Sequence, residues 1–567
     1  MNFLERIFEN LRRAAGQPVL QEARADGAVS VTGAELLALT ADSRAFIHAA
    51  GLARGDRCAI VAPNSIRWVA LDLALMAEGI VTVPLYARQA PAELAAMLRD
   101  AQPSLICVGD AALSNALASA WPSGEHGERE ISSSPAAPRR VLFDEIFARS
   151  APTSAQATSP APLAPGDVVT IIYTSGTSGE AKGVQLNRRN LDHMLGCTGS
   201  RLDVLMGPSQ RADRVFHYLP FSFAGSWILL LSCLSRSSVL TLLTDLPRFA
   251  DDLCAAEPDY LLNVPTILER IRRGIEDNLK KRGAMILRIY EGAAKEWLAR
   301  TNGTGTRGGA FRLALARLAI FPAIRKRLGP NLRALICGSA PLASETQRFF
   351  EMLGIPVLQV YGLTETTGIC TMDDPRRVEP GTVGPAVPGV EMKVGENQEI
   401  LVRGPNIFPG YWNRPDETAN VLRDGWFHSG DQGEVNEAGN WRIVGRIKNL
   451  IILNSGHNIA PEPIEEDLRL SIPGVAQVVL VGNGRGYLSV IIAGPIERRL
   501  AQMEVERING SLPHYKQIRA IHVEPEAFTI ESGLLTANGK LKRDAISTQY
   551  RAEIEAMYQK KAESAAV

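Results

Sequence analysis

Short apolar runs alternate with longer amphipathic segments through the first part of the chain. Between Thr32 and Val108, the segments RCAIVAP and IVTVPLY predict buried β-strands, because they are apolar and rich in β-branched residues. The segment SIRWVALDLALMAEG predicts the helix between them. This order indicates a βαβ unit, and therefore a parallel sheet with helices on its faces.

An interruption follows, and the alternation then resumes. From Trp121 to Pro165 the chain is rich in Pro, Ser and Ala around one apolar segment, RVLFDEIFA, which is typical of a mobile linker or surface excursion. VVTIIYT then predicts another strand, and LRALICGSAPL and IPVLQVYGLTETTG each run from a strand into a turn of small polar residues. Ligands of open parallel sheets bind beyond such strand ends.

The last third of the chain has a different pattern. From Gly381 to Gly445, short segments with turns at VRGPNIFPGY and RDGWFHSGD predict antiparallel strands. After Arg446 a compact strand and helix pattern begins, with NLIILNSGHNIAPEPIEEDLRLS, VAQVVLVG and YLSVIIAG. We therefore expect two domains, residues 1–445 and residues 446–567.

Composition narrows the class of protein. The chain has 567 residues, 46% hydrophobic and 22% charged, as in a soluble globular protein of more than one domain. Basic and acidic residues number 61 each, so there is no basic excess for nucleic acid. The seven cysteines have no paired spacing and favour reduced thiols.

MNFLERIFENLRRAAG predicts an amphipathic helix rather than a signal peptide, and no run reaches the ~20 apolar residues of a membrane span, so we expect a cytoplasmic location.

One region between Arg270 and Gly329 is rich in basic residues interleaved with apolar ones. The basic residues are Lys280, Lys281, Arg282, Arg288, Arg325, Lys326 and Arg327. One interpretation is a set of amphipathic surface helices. The other is a surface that contacts the membrane peripherally.

The segment YTSGTSGEAKGV, from Tyr173 to Val184, predicts a loop that binds phosphate. Seven of its twelve residues are Gly, Ser or Thr, which allow backbone N–H groups and hydroxyls to approach an anion. The loop differs from the nucleotide-hydrolase motif G-x-x-x-x-G-K-[ST], because Ala181 precedes Lys182 and Gly183 follows it.

Six motifs in a fixed order give this loop a context: YTSGTSGEAKGV, GSAPL, YGLTETTG, GWFHSGD, GRIKN and TANGKLKR. Together they resemble the adenylate-forming superfamily of acyl-CoA and aryl-CoA synthetases, luciferases and adenylation domains. The resemblance implies an α/β fold with a large N-terminal domain of βαβ subdomains, a small barrel-like β subdomain and a small mobile α+β C-terminal domain. It also implies ATP, Mg²⁺ and coenzyme A as cofactor and co-substrates.

The same resemblance implies roles for residues of the large domain. The phosphate loop would comprise Thr174, Ser175, Gly176, Thr177, Ser178, Gly179 and Lys182. Ala181 replaces the proline usual in the family, which should loosen this loop. Glu365 would bind Mg²⁺, Thr364 the α-phosphate, and Tyr361 the adenine. The remaining nucleotide-binding positions are Gly338, Ser339, Ala340, Gly362, Asp431 and Arg446, the last two at the ribose hydroxyls.

The C-terminal domain would supply the catalytic lysine and move between two half-reactions. Lys540 matches the family position that stabilises charge during adenylation, whereas we expect Lys542 and Arg543 to be solvated. Lys448 matches the hinge, and Gly456 matches the position beside the pantetheine thiol.

The acyl pocket is the last expectation. Phe223 stands where many relatives have histidine and makes the pocket wall apolar; Gly362 would border it, and Trp227 matches either a gate aromatic or a buried core residue. The resemblance is greatest to long-chain fatty acyl-CoA synthetases, acting on a medium- or long-chain acid and CoA. The alternatives are a fatty acyl-AMP ligase that loads an acyl carrier protein, an aryl-CoA ligase and a catalytically inactive binder.

Overall fold

The structure is a computed structural model that describes residues 1–121, 138–148, 159–175, 181–208, 211–536 and 539–559. Much of the expected linker between Trp121 and Pro165 lies outside these residues. The apolar segment RVLFDEIFA within it contains the end of one strand and then one short helix. The first elements are α1 (Phe3–Arg13), β1 (Pro18–Arg24), β2 (Gly27–Thr32), α2 (Gly33–Ala50), β3 (Arg57–Val61), α3 (Ile66–Glu78), β4 (Val81–Leu85), α4 (Pro91–Ala101), β5 (Leu105–Val108), α5 (Ala111–Ala120), β6 (Arg139–Leu142) and α6 (Phe143–Phe147).

The middle of the chain continues the alternation of strands and helices. Its elements are β7 (Val168–Ser175), β8 (Ala181–Asn187), α7 (Arg188–Met206), β9 (Asp213–His217), α8 (Ala224–Leu234), β10 (Ser238–Leu243), α9 (Phe249–Ala256), β11 (Tyr260–Asn263), α10 (Pro265–Lys281), α11 (Ala284–Thr301), α12 (Arg307–Ala319), α13 (Phe321–Leu328), β12 (Ala334–Cys337), α14 (Ser344–Met352), β13 (Val357–Tyr361) and β14 (Thr371–Met372). The predicted βαβ units, parallel strands joined by helices, are confirmed.

Two large sheets form the core of the N-terminal domain. One has the strand order β6-β5-β3-β4-β7-β8, and the other β14-β13-β12-β11-β9-β10-β1-β2. Strands β3, β4 and β5 are parallel, as predicted, and bury both faces, which explains their continuous apolar sequence. Helix α1 closes this core: its apolar face, with Phe3, Ile7 and Leu11, is fully buried.

A smaller antiparallel sheet follows, as the turn pattern predicts. Its elements are β15 (Glu391–Val394), β16 (Glu399–Arg403), α15 (Pro415–Val421), β17 (Leu422–Arg423), β18 (Trp426–Val435) and β19 (Trp441–Arg446). Strand β18 is the centre of the sheet and pairs with β16, β17 and β19.

The C-terminal domain has its own core. Its elements are β20 (Ile451–Ile452), β21 (Asn458–Ile459), α16 (Glu462–Ser471), β22 (Gln477–Val481), β23 (Leu488–Ala493), α17 (Arg498–Asn509), β24 (Ile518–Glu524), α18 (Arg543–Gln549) and α19 (Arg551–Gln559). The sheet β22-β23-β24 packs against α16 and α17. The domain boundary between residues 445 and 446 stays our proposal. Within the described residues, no helix combines the length and the apolar character that a membrane crossing requires.

Candidate active site

A cleft of about 2400 Å³ separates the C-terminal domain from the two large sheets. The ends of β7, β12 and β13 reach it from the large domain, and β18 and β19 border it. Because the C-terminal ends of neighbouring parallel strands meet at one edge of a sheet, residues distant in sequence line the same cavity.

The base of the predicted phosphate loop is an antiparallel hairpin. Thr174 pairs with Lys182 and Ser175 with Ala181 in the register of β7 and β8. The four residues Gly176, Thr177, Ser178 and Gly179 lie outside the described part of the chain. The Lys182 ammonium forms an ion pair with Glu417 and stands 5.3 Å from the centre of the Tyr411 ring. These two contacts hold Lys182 at the wall of the cleft.

Glu365 lies in a 3₁₀ turn, Thr364–Thr366, directly after β13. The Tyr411 hydroxyl donates a hydrogen bond of 2.8 Å to Glu365 Oε1, and this contact orients the carboxylate in the cleft. The turn depends on Gly362, because a Cβ there would lie 2.4 Å from the Gly368 carbonyl oxygen. Only glycine fits this close approach of two backbone segments.

Asp431, Arg446 and Tyr361 form one connected group. Arg446 Nε lies 2.7 Å from Asp431 Oδ1, and the Tyr361 hydroxyl donates to Asp431 Oδ2 over 2.8 Å. Burial raises the pKa of Asp431, while Arg446, Tyr361 and Lys540 act against this shift. The carboxylate is therefore fixed in orientation by one cation and one hydroxyl.

Lys540 reaches this group from the C-terminal domain. Its loop is closed by a bridge between Leu535 and Leu541, and the Thr536 N–H donates to the Lys540 carbonyl over 2.8 Å. The side chain stands inside the cleft, where it keeps contact with solvent while the surrounding walls displace part of its hydration. Desolvation and then Arg446 lower the pKa of Lys540, whereas Asp431 and Glu365 oppose the shift. The two domains are thus arranged with Lys540 facing Asp431 and Glu365.

Four cations converge on this part of the cleft: Lys182, Arg446, Lys448 and Lys540. Desolvation lowers the pKa of Lys448 to about 8, with further lowering by Arg446 and Lys182. Like charges held together in a partly desolvated site favour an anionic ligand, because the ligand relieves their repulsion. The arrangement is suited to a polyphosphate.

Ion pairs hold the domains in this arrangement. Lys542 Nζ lies 2.8 Å from Glu93 Oε1 on α4, and Arg469 on α16 pairs with Glu269 on α10. The expectation of solvated side chains is wrong for Arg543, whereas Lys542 stays partly exposed although it is ion-paired. The Arg543 guanidinium donates to the buried Glu465 carboxylate of α16, at 2.8 Å between Nη1 and Oε1.

The wall of the cleft includes most of the residues expected at the nucleotide and acyl pocket: Phe223, Gly338, Ser339, Ala340, Tyr361 and Gly362. The Phe223 ring lies 6.0 Å from that of Tyr86 and makes this wall aromatic. Trp227 does not line the cleft. It is fully buried, and its indole N–H donates to Asp72 over 2.8 Å, so the core alternative is correct for Trp227.

Gly456 lies away from the cleft, in the exposed turn between β20 and β21. Its φ of +80° is in the left-handed region that favours glycine, and no atom lies within 4 Å of where a Cβ would stand. In this arrangement of the domains, Lys540 lines the cleft and Gly456, the predicted thiol-side residue, does not.

Comparison with known proteins agrees with this geometry. The family model described as AMP-binding enzyme matches residues 8–412, and the model of the AMP-binding enzyme C-terminal domain matches residues 448–562. The chain belongs to the family of AMP-binding enzymes. The first match alone covers more than half of the chain, and the second covers the domain that carries Lys540.

Curated relatives of this AMP-binding enzyme include acyl-CoA ligases. The long-chain-fatty-acid–CoA ligase FadD15 of Mycobacterium bovis is 28% identical over 545 residues, 90% of this chain and 89% of that protein. The putative fatty-acid–CoA ligase fadD11 of Mycobacterium tuberculosis is 31% identical over 430 residues, 70% of this chain and 74% of that protein. Long chain acyl-CoA synthetase 3 of Arabidopsis thaliana is 26% identical over 573 residues, 91% of this chain and 85% of that protein.

Solved structures share the fold. ATP-bound MatB from Rhodopseudomonas palustris is similar with a TM-score of 0.70 at 23% identity, over 97% of this chain and 99% of that one. The o-succinylbenzoate coenzyme A synthetase MenE from Bacillus subtilis, in complex with AMP, has a TM-score of 0.72 at 19% identity, over 95% and 97%. At these identities the likeness shows the fold alone.

Sequence reasoning missed several residues that support the site of this AMP-binding enzyme. Tyr411 holds Glu365, Glu417 holds Lys182, and Glu93 holds Lys542. Tyr411 follows the segment VRGPNIFPG, whose sequence predicts a turn. It does not predict the contact of Tyr411 with Glu365, 46 residues earlier. Strand β8 has a sequence pattern that predicts a strand, since Val184 and Leu186 alternate with polar residues.

We expect loss of the ion pairs between the domains to slow adenylation. Lys542→Ala and Arg469→Ala should each lower the rate of acyl-adenylate formation by about tenfold. Thiolysis of supplied acyl-adenylate should be unchanged, because it does not need this arrangement. Single-turnover measurement of each half-reaction tests this, with Arg507→Ala as control, since Arg507 pairs with Glu504 inside its own helix. Equal loss of both half-reactions would contradict the assignment.

A second expectation concerns the uptake of protons when ATP binds. Lys448, with a pKa of about 8, is half protonated at that pH. A bound polyphosphate raises this pKa, so ATP binding at pH 8 should take up roughly half a proton through Lys448. Calorimetry in two buffers of different ionisation enthalpy measures the uptake. Lys448→Met should remove most of it, and Lys516→Met, outside the cleft, should leave it unchanged; the same uptake in the Lys448 variant would refute the assignment.

Proposed function

We propose that this chain is an AMP-forming acid–thiol ligase that activates a medium- or long-chain fatty acid with ATP and transfers the acyl group to coenzyme A. The observation that carries the proposal is the convergence of Lys540 from one domain with Glu365, Asp431 and Arg446 from the other. The names of the curated relatives support the acyl-CoA ligase activity, and their moderate identity leaves the acid itself to experiment.

In the first half-reaction a carboxylate would attack the α-phosphate of ATP and diphosphate would leave, and the thiol would displace AMP in the second. Since the first step joins two anions, the site must neutralise charge and orient both. Lys182 and Lys448 are suited to the phosphates and Lys540 to the charge that develops at the α-phosphate. Asp431, fixed by Arg446 and Tyr361, offers lone pairs to the ribose hydroxyls. Thr364 and the loop from Thr174 to Gly179 would add hydroxyl and backbone donors to the phosphates.

Glu365 is suited to a magnesium ion. Its carboxylate stands in the cleft with one oxygen held by Tyr411, and carboxylate oxygen is a ligand that Mg²⁺ prefers. Among the described residues, no group of three or more His, Cys, Asp or Glu side chains is placed to hold a metal. An ion here would therefore share its coordination with phosphate oxygens, and when bound it would offset their charge.

The second half-reaction requires the C-terminal domain to move. Gly456 is exposed and far from the nucleotide pocket while Lys540 occupies the site. We place the hinge at Lys448, in the 3₁₀ turn Ile447–Asn449 that joins the domains. Rotation there would withdraw Lys540 and bring the segment of Gly456 to the cleft, where a thiol could attack the acyl-adenylate.

The acyl chain would lie against the apolar wall. The residues of this wall are Phe223, Ala224, Ile228, Leu229, Leu262, Val264 and Ile336. An apolar wall favours a hydrocarbon chain over an amino acid. Trp227 takes no part, since this residue of helix α8 is fully buried in the core.

The test is product analysis by mass spectrometry with ATP, Mg²⁺ and free acids of graded chain length, with and without CoA. Acyl-CoA from one class of chain length supports the proposal. Accumulation of acyl-adenylate without acyl-CoA would favour a carrier-protein acceptor, and preference for an aromatic acid would favour an aryl-CoA ligase. Absence of any adenylate would indicate a catalytically inactive binder.

Substitution of Gly456 tests the thiol side separately. Gly456→Trp should lower acyl-CoA formation from supplied acyl-adenylate by at least about 100-fold, because bulk there would obstruct the thiol, and should spare adenylation. Gly456→Ala is the matched control: it carries the same backbone strain at φ +80° without the bulk, and should cost less than about tenfold. If alanine and tryptophan were equally harmful, strain rather than obstruction would be the cause.

A further inference from the structure

Helices α11 and α12 form an antiparallel hairpin on the surface of the large domain. Two glycine contacts fix its register: a Cβ at Gly292 would lie 2.7 Å from the Arg312 side chain, and a Cβ at Gly309 would lie against Glu296. This register brings the start of α11, with Met285, to the end of α12 that carries Leu318. The inner face, with Tyr290, Ala293, Leu313 and Ala316, is buried in a core shared with α9 and α13.

The outer face of the hairpin exposes large apolar side chains. Met285 is 75% exposed, Phe311 is 71% and Leu318 is 80%. Phe311 and Leu318 are seven residues apart and so lie on one face of α12. A single exposed apolar residue is ordinary, but three of this size on one hairpin indicate a contact surface.

Basic residues dominate the charge around this face, although α11 also carries the exposed Glu291. From Trp297 to Ser344 the chain contains no Asp or Glu, although the protein as a whole has equal numbers of acidic and basic residues. The same stretch has eight basic residues: Arg300, Arg307, Arg312, Arg317, Arg325, Lys326, Arg327 and Arg333. Some have internal roles, since Arg325 donates to the Leu353 and Gly354 carbonyls.

Three of these arginines carry the surface charge. Arg307, Arg312 and Arg317 on α12 form no ion pair with a described residue. They flank the face that exposes Phe311 and Leu318. Arginine side chains can extend their charge to an interface while apolar neighbours enter it.

We infer that the outer face of the α11–α12 hairpin docks on an anionic lipid bilayer. Apolar side chains that can enter the acyl boundary, beside cations that meet lipid phosphates, match an interfacial helix. A surface of uniform negative charge fits a stretch without acidic residues better than a protein partner of mixed charge does. Contact is peripheral, because α11 and α12 pack their opposite faces into the domain core.

Co-sedimentation of the full chain with vesicles tests the inference. Vesicles of phosphatidylcholine with about 30% phosphatidylglycerol should bind the protein at least about tenfold more tightly than phosphatidylcholine alone. Binding should fall as NaCl rises from about 0.05 to 0.5 M, because salt screens the arginines. Equal binding to both vesicles, or none to either, would overturn the inference, and none to either would favour an acidic protein partner instead.

Paired variants locate the surface. Arg307→Gln with Arg317→Gln should weaken binding to the anionic vesicles by about 25-fold, from about fivefold per charge. Phe311→Ser with Leu318→Ser should weaken it by at least about tenfold. The charge control is Arg499→Gln with Arg519→Gln, and the apolar control is Met503→Ser, at a residue 58% exposed on α17.

The controls should bind as the unaltered protein does, and the unfolding temperature should stay the same in every variant, since all these side chains are exposed or partly exposed. Unaltered binding in both hairpin variants, or equal loss in the controls, would refute docking through this face. The readout needs neither ATP nor acid, so its failure and failure of the proposed ligase activity are separate results.

Discussion

Replacing Lys540 with alanine is expected to lower the rate of acyl-adenylate formation by about 100- to 1000-fold. The electrostatic environment of this lysine of the C-terminal domain includes both Asp431 and Glu365 of the large domain. Rapid-quench measurement of adenylate formed from ATP and the preferred acid gives the rate.

The same variant should convert supplied acyl-adenylate to acyl-CoA at nearly the unaltered rate, since the proposed rotation would withdraw Lys540 before thiolysis. Lys516→Ala is the matched control, a lysine of the same domain outside the cleft. Loss of both half-reactions together would argue that Lys540 holds the domain structure rather than acting on the phosphate.

Replacing Glu365 with glutamine is expected to lower adenylation by about 100-fold and to raise the Mg²⁺ concentration needed for half-maximal rate by at least tenfold. The change keeps the size of the side chain but removes the charge that suits a hard cation. A magnesium titration of the single-turnover rate gives both values.

Tyr411→Phe provides the companion measurement. It removes only the hydroxyl that holds Glu365 Oε1, so it should lower the rate by roughly tenfold and change the magnesium requirement less. If Glu365→Gln lowered the rate without moving the magnesium requirement, Glu365 would not be a ligand.

Local motifs were enough to predict candidate residues that the structure brings to one cleft. Lys540, Glu365 and Asp431 each stand in a short run of distinctive residues, and the strand VVTIIYT that leads to the phosphate loop is confirmed as β7. Such segments combine backbone requirements with chemistry, so local sequence carries both. The order of strands and helices followed from periodicity for the same reason.

The remaining features depend on contacts between distant segments, which leave no local signal. Trp227 became a core residue because its indole meets Asp72, 155 residues away. Lys542 meets Glu93 across 449 residues, and Arg543 meets Glu465 across 78 residues. A solvated basic segment and a segment whose arginines form ion pairs have similar sequences. Only the three-dimensional structure shows which acidic partners lie nearby.

The two ion pairs between the domains differ in their sensitivity to dissolved salt. Glu93 and Lys542 are partly exposed, at 41% and 31%, so mobile ions reach them, whereas Glu269 is 3% exposed and its pair with Arg469 is sheltered. Rising ionic strength should therefore loosen the domain at the catalytic loop while α16 stays seated on α10. The balance between the two proposed half-reactions would then follow the ionic conditions around the protein.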